Sequence, residues 1–240
     1  MRVPPLCAAH GALLLLFGHL GLTLWLSATL GVWQDEAFSL DTKGGSAART
    51  LHQALFFELQ PPLYFLLLWA WRRLADGYDW ARLLSVACTG AALAALWALA
   101  RRHLDHRTAT AGLPLLAGHP FVLWHATEIR VYALALLLAA LLVLAFHDAF
   151  LESPPERRWA RAAYPALAMA AVYTQYYLAT LVLAHALVVL LLHRHQLAGY
   201  VRRMLPAGLA VLPLALVLPR QVAEHTADVA DHPGPGAAGR

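Results

Sequence analysis

The sequence predicts an all-α polytopic membrane protein, a transmembrane helical bundle of about seven spans whose extracytoplasmic first loop contains a short interfacial helix. Three observations predict this fold. Hydrophobic residues make up 60% of the 240 residues, charged residues make up 13%, and the mean hydropathy is +0.55. Soluble domains are typically about 45–50% apolar and about 25% charged. The composition therefore excludes a disordered chain, a coiled coil and an ordinary soluble enzyme.

The first long apolar run is 11–32, and it follows Arg2. Its start resembles a signal peptide, with a basic residue before the apolar stretch. The run is about 22 residues long, which exceeds a usual signal-peptide core. A retained first transmembrane helix is therefore the favoured interpretation.

The next apolar run, 61–71, is short and ends at Arg72 and Arg73. A helix of this length measures about 16 Å, roughly half of a bilayer core. It is therefore predicted to lie at the interface, within an outer loop 33–80.

Six further runs are long enough for the remaining spans: 81–100, 108–126, 131–147, 162–175, 177–192 and 204–219. Basic loops flank 162–192 on both sides, so this stretch is interpreted as a tight hairpin with its tip at 173–177. The transmembrane domain is predicted to cover 1–220. The segment 221–240 ends in a Pro/Gly-rich stretch and is predicted to be a disordered tail.

Basic residues orient this topology. With the N-terminus inside and 61–71 not spanning, the inner segments carry 10 of the 18 lysines and arginines. If 61–71 spanned, the later basic loops would face outward, against the positive-inside rule. The net charge of +4 is therefore assigned to inner loops, and nucleic-acid binding is not predicted.

The unusual polar residues then gather on the outer side. They are Asp35, Glu36, Gln60, Arg82, Glu128, Arg130 and Gln175. Glu58 lies in the first outer loop, where it could touch substrate, and His125 lies near Glu128. Ionisable groups near the membrane are costly unless they are paired or wetted, so their convergence indicates a polar site. The alternative, that all are interfacial charges in short loops, stays open.

The ordered motifs carry a resemblance to a known family. The first are the Asp-Glu-Ala at 35–37, the Gln-Pro-Pro-Leu-Tyr at 60–64 and the Arg-Leu-Leu-Ser at 82–85. Glu-Ile-Arg-Val-Tyr-Ala-Leu at 128–134 and Tyr-Thr-Gln-Tyr at 173–176 follow. In order and spacing this set resembles the GT-C glycosyltransferases. It is most similar to the glycosyltransferase family 39-like relatives of protein O-mannosyltransferases and aminoarabinose transferases.

The resemblance implies a reaction and its partners. A sugar would move, with inversion, from a polyprenyl-phosphate carrier in the membrane lipid to a hydroxyl of an acceptor lipid, glycan or protein. Asp35 would be the catalytic base, and Glu36 would position the acceptor or an arginine. Arg82 and Arg130 would bind the departing phosphate, and Glu128 would orient one of them. The site would face the extracytoplasmic side of a bacterial plasma membrane.

Two residues depart from the family pattern, since Gln60 and Gln175 stand where these relatives have histidine. Both are assigned with Tyr132 to substrate or lipid-phosphate binding; for Tyr132, anchoring at the interface is the alternative. No cofactor is assigned with certainty; a divalent metal stays open as an alternative, although the ligand spacing does not support one. Two alternatives to transfer remain: a transporter or flippase of lipid-linked substrates, and a catalytically inactive or truncated membrane subunit.

Overall fold

The structure, a computed structural model, describes residues 5–42, 45–151 and 158–231, and these residues form helices joined by turns, with no strand among them. This confirms the predicted all-α class. The helices are α1 Pro5–Thr29, α2 Gln34–Thr42, α3 Ala47–Phe56, α4 Leu63–Trp71, α5 Tyr78–His103, α6 His106–Ala117, α7 Pro120–Ala126, α8 Tyr132–Phe146, α9 Arg158–Thr174, α10 Leu178–Leu192 and α11 Leu197–Asp231. A π-helical turn, His147–Leu151, follows α8, and a 3₁₀ turn, Arg194–Gln196, precedes α11.

Four helical stretches of the described residues are long and apolar enough to cross a bilayer. They are His10–Thr29, Tyr78–His103, Tyr132–Leu151 and Arg194–Ala223. The protein is therefore an integral membrane protein. The other three predicted spans coincide with shorter helices, so the count of seven stays a prediction.

The run 108–126, expected as one continuous span, is divided into α6 and α7 at Gly118. The cause is local. Pro120 occupies the first turn of α7, and the ring Nδ1 of His119 accepts the backbone N–H of Phe121 at 3.2 Å. A proline at the start of a helix, preceded by a capping side chain, begins a new helix rather than continuing the old one.

The short helix α4 has nine residues, or about 14 Å of length. Its end is fixed to the start of α5 by two tryptophans. The rings of Trp71 and Trp80 stack with centroids 4.8 Å apart, and each indole N–H donates to the other residue's carbonyl. The chain entering α5 therefore lies beside the end of α4.

The helices α5 and α8 form the centre of the bundle. About half of each spanning window is buried, 50% in α5 and 56% in α8, against 22% in α1 and 11% in α11. Small residues permit close packing on α5: a Cβ at Gly90 would lie 2.7 Å from Cδ2 of Leu20 in α1. Small residues at helix contacts are typical of membrane proteins.

The bundle has two chemically different ends. The starts of α2, α5 and α8 lie at one end. The tip between α9 and α10 lies at the same end. The hydroxyl of Tyr176 in this tip donates to Gln221 of α11, and Gln221 donates to the Leu55 carbonyl of α3. At the other end Arg102 pairs with Asp148. We call these the site end and the basic end.

The last helix corrects one boundary. The sequence assigned 221–240 to a disordered tail, but α11 continues to Asp231. The residues 232–240 of that predicted tail lie outside the described residues. Gln221 is 3% exposed and belongs to the packed bundle.

Candidate functional site

Glu36 and Arg82 form a buried ion pair at the site end. Glu36 is 0% and Arg82 2% exposed. The guanidinium donates from Nε to Oε1 at 3.0 Å and from Nη2 to Oε2 at 2.7 Å. The same carboxylate accepts the backbone N–H of Ile129 at 3.0 Å. The pair therefore ties together α2, α5 and the connection before α8.

Arg82 also closes the end of α1. It donates to the backbone carbonyls of Ser27, Leu30 and Gly31 at 2.7, 2.7 and 2.8 Å. A guanidinium has five N–H donors. With the two bonds to Glu36, all five are used within the protein. The last carbonyls of a helix lack hydrogen-bond donors within the helix, and the Arg82 guanidinium supplies such donors at the end of α1.

Arg130 has a more open arrangement between two carboxylates. Its Nη1 donates to the hydroxyl of Ser39 at 3.1 Å and to Glu58 Oε2 at 3.4 Å, and its Nη2 lies 3.9 Å from Asp35 Oδ2. We call Asp35, Ser39, Glu58 and Arg130 the Arg130 cluster. Within the described residues, the buried Nε of Arg130 has no hydrogen-bond partner. The cluster therefore contains a buried donor that the described residues leave unsatisfied.

The two carboxylates of the Arg130 cluster differ in exposure. The Asp35 side chain is 44% exposed, whereas that of Glu58 is 6% exposed. Asp35 lies in the first turn of α2, where the helix dipole favours a negative charge. Asp35 is therefore the more exposed carboxylate of this cluster.

Glu128 does not pair with either arginine as the sequence had suggested. Its Oε2 lies 3.0 Å from Nδ1 of His125, and its backbone carbonyl accepts the Ser85 hydroxyl at 2.5 Å. Glu36 already pairs with Arg82, and Asp35 and Glu58 lie beside Arg130. The His125 ring packs between the rings of Phe121 and Tyr132, at centroid distances of 4.0 and 4.4 Å.

A cavity of about 690 Å³ opens beside the Arg130 cluster. Gln60, Tyr132 and Gln175, three of the predicted binding residues, line it together with Glu58. Asp35, Glu36, Arg82, Glu128 and Arg130 are not among its lining residues. Glu58 connects the cavity with the Arg130 cluster, since it lines the cavity and contacts Arg130. We call this space the Gln60–Gln175 cavity.

The wall of the cavity contains a strained residue. Leu59 has φ of +53°, a left-handed conformation that is unusual for a residue with a branched side chain. It lies between Glu58 and Gln60. The turn it makes allows the Gln60 backbone N–H to donate to the Ala54 carbonyl at 3.0 Å. Such strain persists where the surrounding structure fixes it, and it is frequent at functional sites.

One cavity residue, Gln221, escaped the sequence reasoning. Gln221 donates to the Leu55 carbonyl at 2.7 Å and accepts the Tyr176 hydroxyl at 2.7 Å. Burial raises the pKa of Tyr176, and the hydrogen bond to Gln221 opposes this with a smaller effect. The phenol therefore stays protonated as a donor. In the sequence, the signal that could have identified Gln221 was a single glutamine after an apolar run.

Several buried polar atoms near the site lack partners within the described ranges. They include Gln60 Oε1, Tyr64 Oη and Glu128 Oε1. Buried polar atoms are nearly always hydrogen-bonded, so each such exception requires an explanation. A ligand with several hydroxyl groups would supply the donors that the Gln60 and Glu128 oxygens lack.

Metal-binding geometry is not present in the part of the chain that the structure describes. Its His, Cys, Asp and Glu side chains include no group of three or more that could hold an ion. The described free cysteine, Cys88, is buried in α5.

Comparison with known proteins gives one match. The family model for dolichyl-phosphate-mannose-protein mannosyltransferase matches residues 59–222, which is most of the chain. Asp35 and Glu36 precede the matched segment, whereas Gln60, Arg82, Glu128, Arg130, Tyr132 and Gln175 lie within it. No significant match to a curated protein or to a solved structure was found. The chain belongs to the dolichyl-phosphate-mannose-protein mannosyltransferase family, a group of membrane glycosyltransferases of the GT-C type.

Proposed function

We propose that this protein transfers a sugar, with inversion, from a polyprenyl-phosphate-linked donor to an acceptor hydroxyl on the extracytoplasmic side. One observation carries the proposal. A reachable carboxylate, Asp35, and a guanidinium with a free donor, Arg130, meet beside a cavity at one end of membrane-spanning helices. Transfer from a lipid phosphate needs a base, a cation and a polar space at the membrane surface.

Asp35 is the proposed base. The acceptor oxygen would form a bond to the anomeric carbon while the bond from that carbon to the donor phosphate breaks. The acceptor proton would move to Asp35, and polyprenyl phosphate would leave. General-base catalysis of this kind is typically worth about 10²- to 10⁴-fold in rate.

Arg130, rather than Arg82, is the proposed partner of the donor phosphate. All five donors of Arg82 are used by Glu36 and by three backbone carbonyls. Arg130 makes longer contacts, between 3.1 and 3.9 Å, and its Nε has no partner within the described residues. A phosphate can replace such contacts with charge-assisted hydrogen bonds. We therefore assign Arg82 and Glu36 to holding the site and Arg130 to binding the donor.

The Gln60–Gln175 cavity is the proposed place for the sugar and the acceptor. Its volume of about 690 Å³ lies within the usual range for small-molecule sites. Gln60 and Gln175 carry both donors and acceptors, which suits sugar hydroxyls. Tyr132 also borders a smaller apolar cavity of about 260 Å³, with Phe121 and Leu178. We place the first units of the lipid chain there.

Arg130 substitutions test the donor assignment. We expect Arg130→Gln to weaken binding of mannosyl-phosphoryl polyprenol by about tenfold or more, because a charged hydrogen bond is lost. The measurement is titration of the purified full chain in lipid nanodiscs. A matched control is Arg49→Gln, which removes an arginine from the outer helix α3. Equal affinity of wild type and Arg130→Gln would contradict the assignment.

The side of the membrane is tested by labelling. We expect a cysteine at position 76 to react with an impermeant thiol reagent in intact cells, and a cysteine at position 194 only after permeabilisation. Asp76 lies at the site end with a 91% exposed side chain, and Arg194 lies at the basic end. The physical reason is the preference of arginine-rich loops for the inner side. The test uses Asp76→Cys and Arg194→Cys in a chain with Cys7 and Cys88 replaced by alanine.

Labelling in the reverse order would contradict an extracytoplasmic site. Labelling of both positions from the same side would contradict the separation of the two ends across a bilayer.

A further inference from the structure

A second cavity, of about 470 Å³, lies at the basic end, away from the Arg130 cluster. Arg161, Arg202 and Arg203 line it with Ala162, Pro165 and Pro206. We propose that this cavity binds the phosphate headgroup of an anionic membrane lipid. We call it the basic cavity.

The three arginines come from two helices and have no acidic partner within the described residues. Arg161 of α9 donates from Nε to the Ala149 carbonyl at 3.0 Å, and Arg203 of α11 donates from Nη1 to the Gly199 carbonyl at 2.9 Å. Among the described residues, no carboxylate forms an ion pair with any of the three. By contrast, Arg82 and Arg102 each have an acidic partner. The remaining donors of the basic cavity are available for an anion.

The backbone around the cavity leaves room for these groups. A Cβ at Gly199 would lie 3.0 Å from Nη1 of Arg203, so the glycine allows the guanidinium to lie along α11. Pro165 and Pro206 follow Arg161 and Arg202 by four residues. Because proline has no N–H, the carbonyls of these two arginines lack their usual helical donor. A headgroup with hydroxyls beside its phosphate can donate to such carbonyls.

The surface below the cavity favours a lipid over a soluble anion. The helix α11 continues from Arg203 into exposed leucines, with Leu205 58%, Leu209 57% and Leu212 54% exposed. An acyl chain can lie along this apolar face while its phosphate meets the arginines. Basic cavities between transmembrane helices are suited to anionic headgroups. Inorganic phosphate would contact only the arginines and not the apolar face of α11.

The test compares two arginines of the basic cavity with a third arginine, Arg194, at the same end of the bundle. The full chain is purified in phosphatidylcholine nanodiscs, and its binding of added phosphatidylglycerol is measured by lipid titration. We expect Arg202→Gln to weaken binding about fivefold, and Arg203→Gln to do the same, since each removes one charge from the cavity. Arg194→Gln removes an equal charge outside the cavity and is expected to change binding by less than twofold.

Three results would overturn the proposal. Equal weakening by Arg194→Gln would mean diffuse attraction to a basic surface. Binding of inorganic phosphate as tight as that of phosphatidylglycerol would identify a soluble-anion site instead. Unchanged lipid binding in both Arg202→Gln and Arg203→Gln would mean that the cavity is not a binding site. Glycosyl transfer plays no part in this measurement, so its outcome is independent of the proposed function.

Discussion

Replacing Glu36 or Arg82 by alanine is expected to lower the free energy of unfolding by about 3–5 kcal/mol. Each substitution leaves the other charge buried without its partner. Arg82→Ala also removes the N–H groups that donate to the carbonyls of Ser27, Leu30 and Gly31. The double variant is expected to lower the free energy of unfolding by less than the sum of the two single substitutions, because both remove the same interaction. Unfolding of the full chain in detergent measures this.

The control for this prediction is an exposed ion pair. Arg72 and Asp76 lie 3.2 Å apart, but the Asp76 side chain is 91% exposed. We expect Asp76→Ala to change stability by no more than about 1 kcal/mol, as is usual at surfaces. If Glu36→Ala were as mild as Asp76→Ala, the Glu36–Arg82 pair would not hold the site together.

Asp35→Asn is expected to lower the transfer rate by about 10²- to 10⁴-fold while leaving the fold intact. Asparagine has almost the same shape but cannot take the acceptor proton. The half-exposed side chain of Asp35 lies 3.9 Å from Arg130, so little packing depends on it. The rate is measured with a labelled polyprenyl-phosphate sugar, and unfolding is measured in parallel.

Asp41→Asn is the matched control, since Asp41 is an exposed carboxylate of the same helix. It is expected to keep the transfer rate within about twofold of wild type. A rate for Asp35→Asn that equals that of Asp41→Asn would remove Asp35 as the base. Glu58, the second carboxylate beside Arg130, would then be the next residue to replace.

Hydrophobic patterning was sufficient to predict the helical class and the central helices. The run 81–100 corresponds to α5 and 131–147 to α8, because long apolar stretches in a membrane must satisfy their backbone by forming helices. The break at Gly118 was missed, although a capping histidine and Pro120 mark it in the sequence. The continuation of α11 to Asp231 was not predicted, because the Pro/Gly-rich end of the sequence suggested a tail from 221 onward.

The sequence predicted which polar residues lie near one another better than it predicted their pairings. Gln60, Tyr132 and Gln175 share one cavity, and Asp35 meets Arg130 across 95 positions of sequence. The sequence could not show that Arg82 is fully used, because its other acceptors are backbone carbonyls, which every residue has. The sequence also could not show that Glu36 is the carboxylate that pairs with Arg82 and that Glu128 contacts His125 instead.

The most direct test of the proposed function is transfer by the wild-type chain alone in lipid vesicles. The donors compared are mannosyl-phosphoryl polyprenol and a nucleotide-linked mannose, each carrying label in the sugar. The proposal predicts labelled acceptor, and one released polyprenyl phosphate for each sugar transferred, from the lipid donor only. Transfer from the nucleotide donor, or movement of the intact lipid-linked sugar across the bilayer without cleavage, would contradict it.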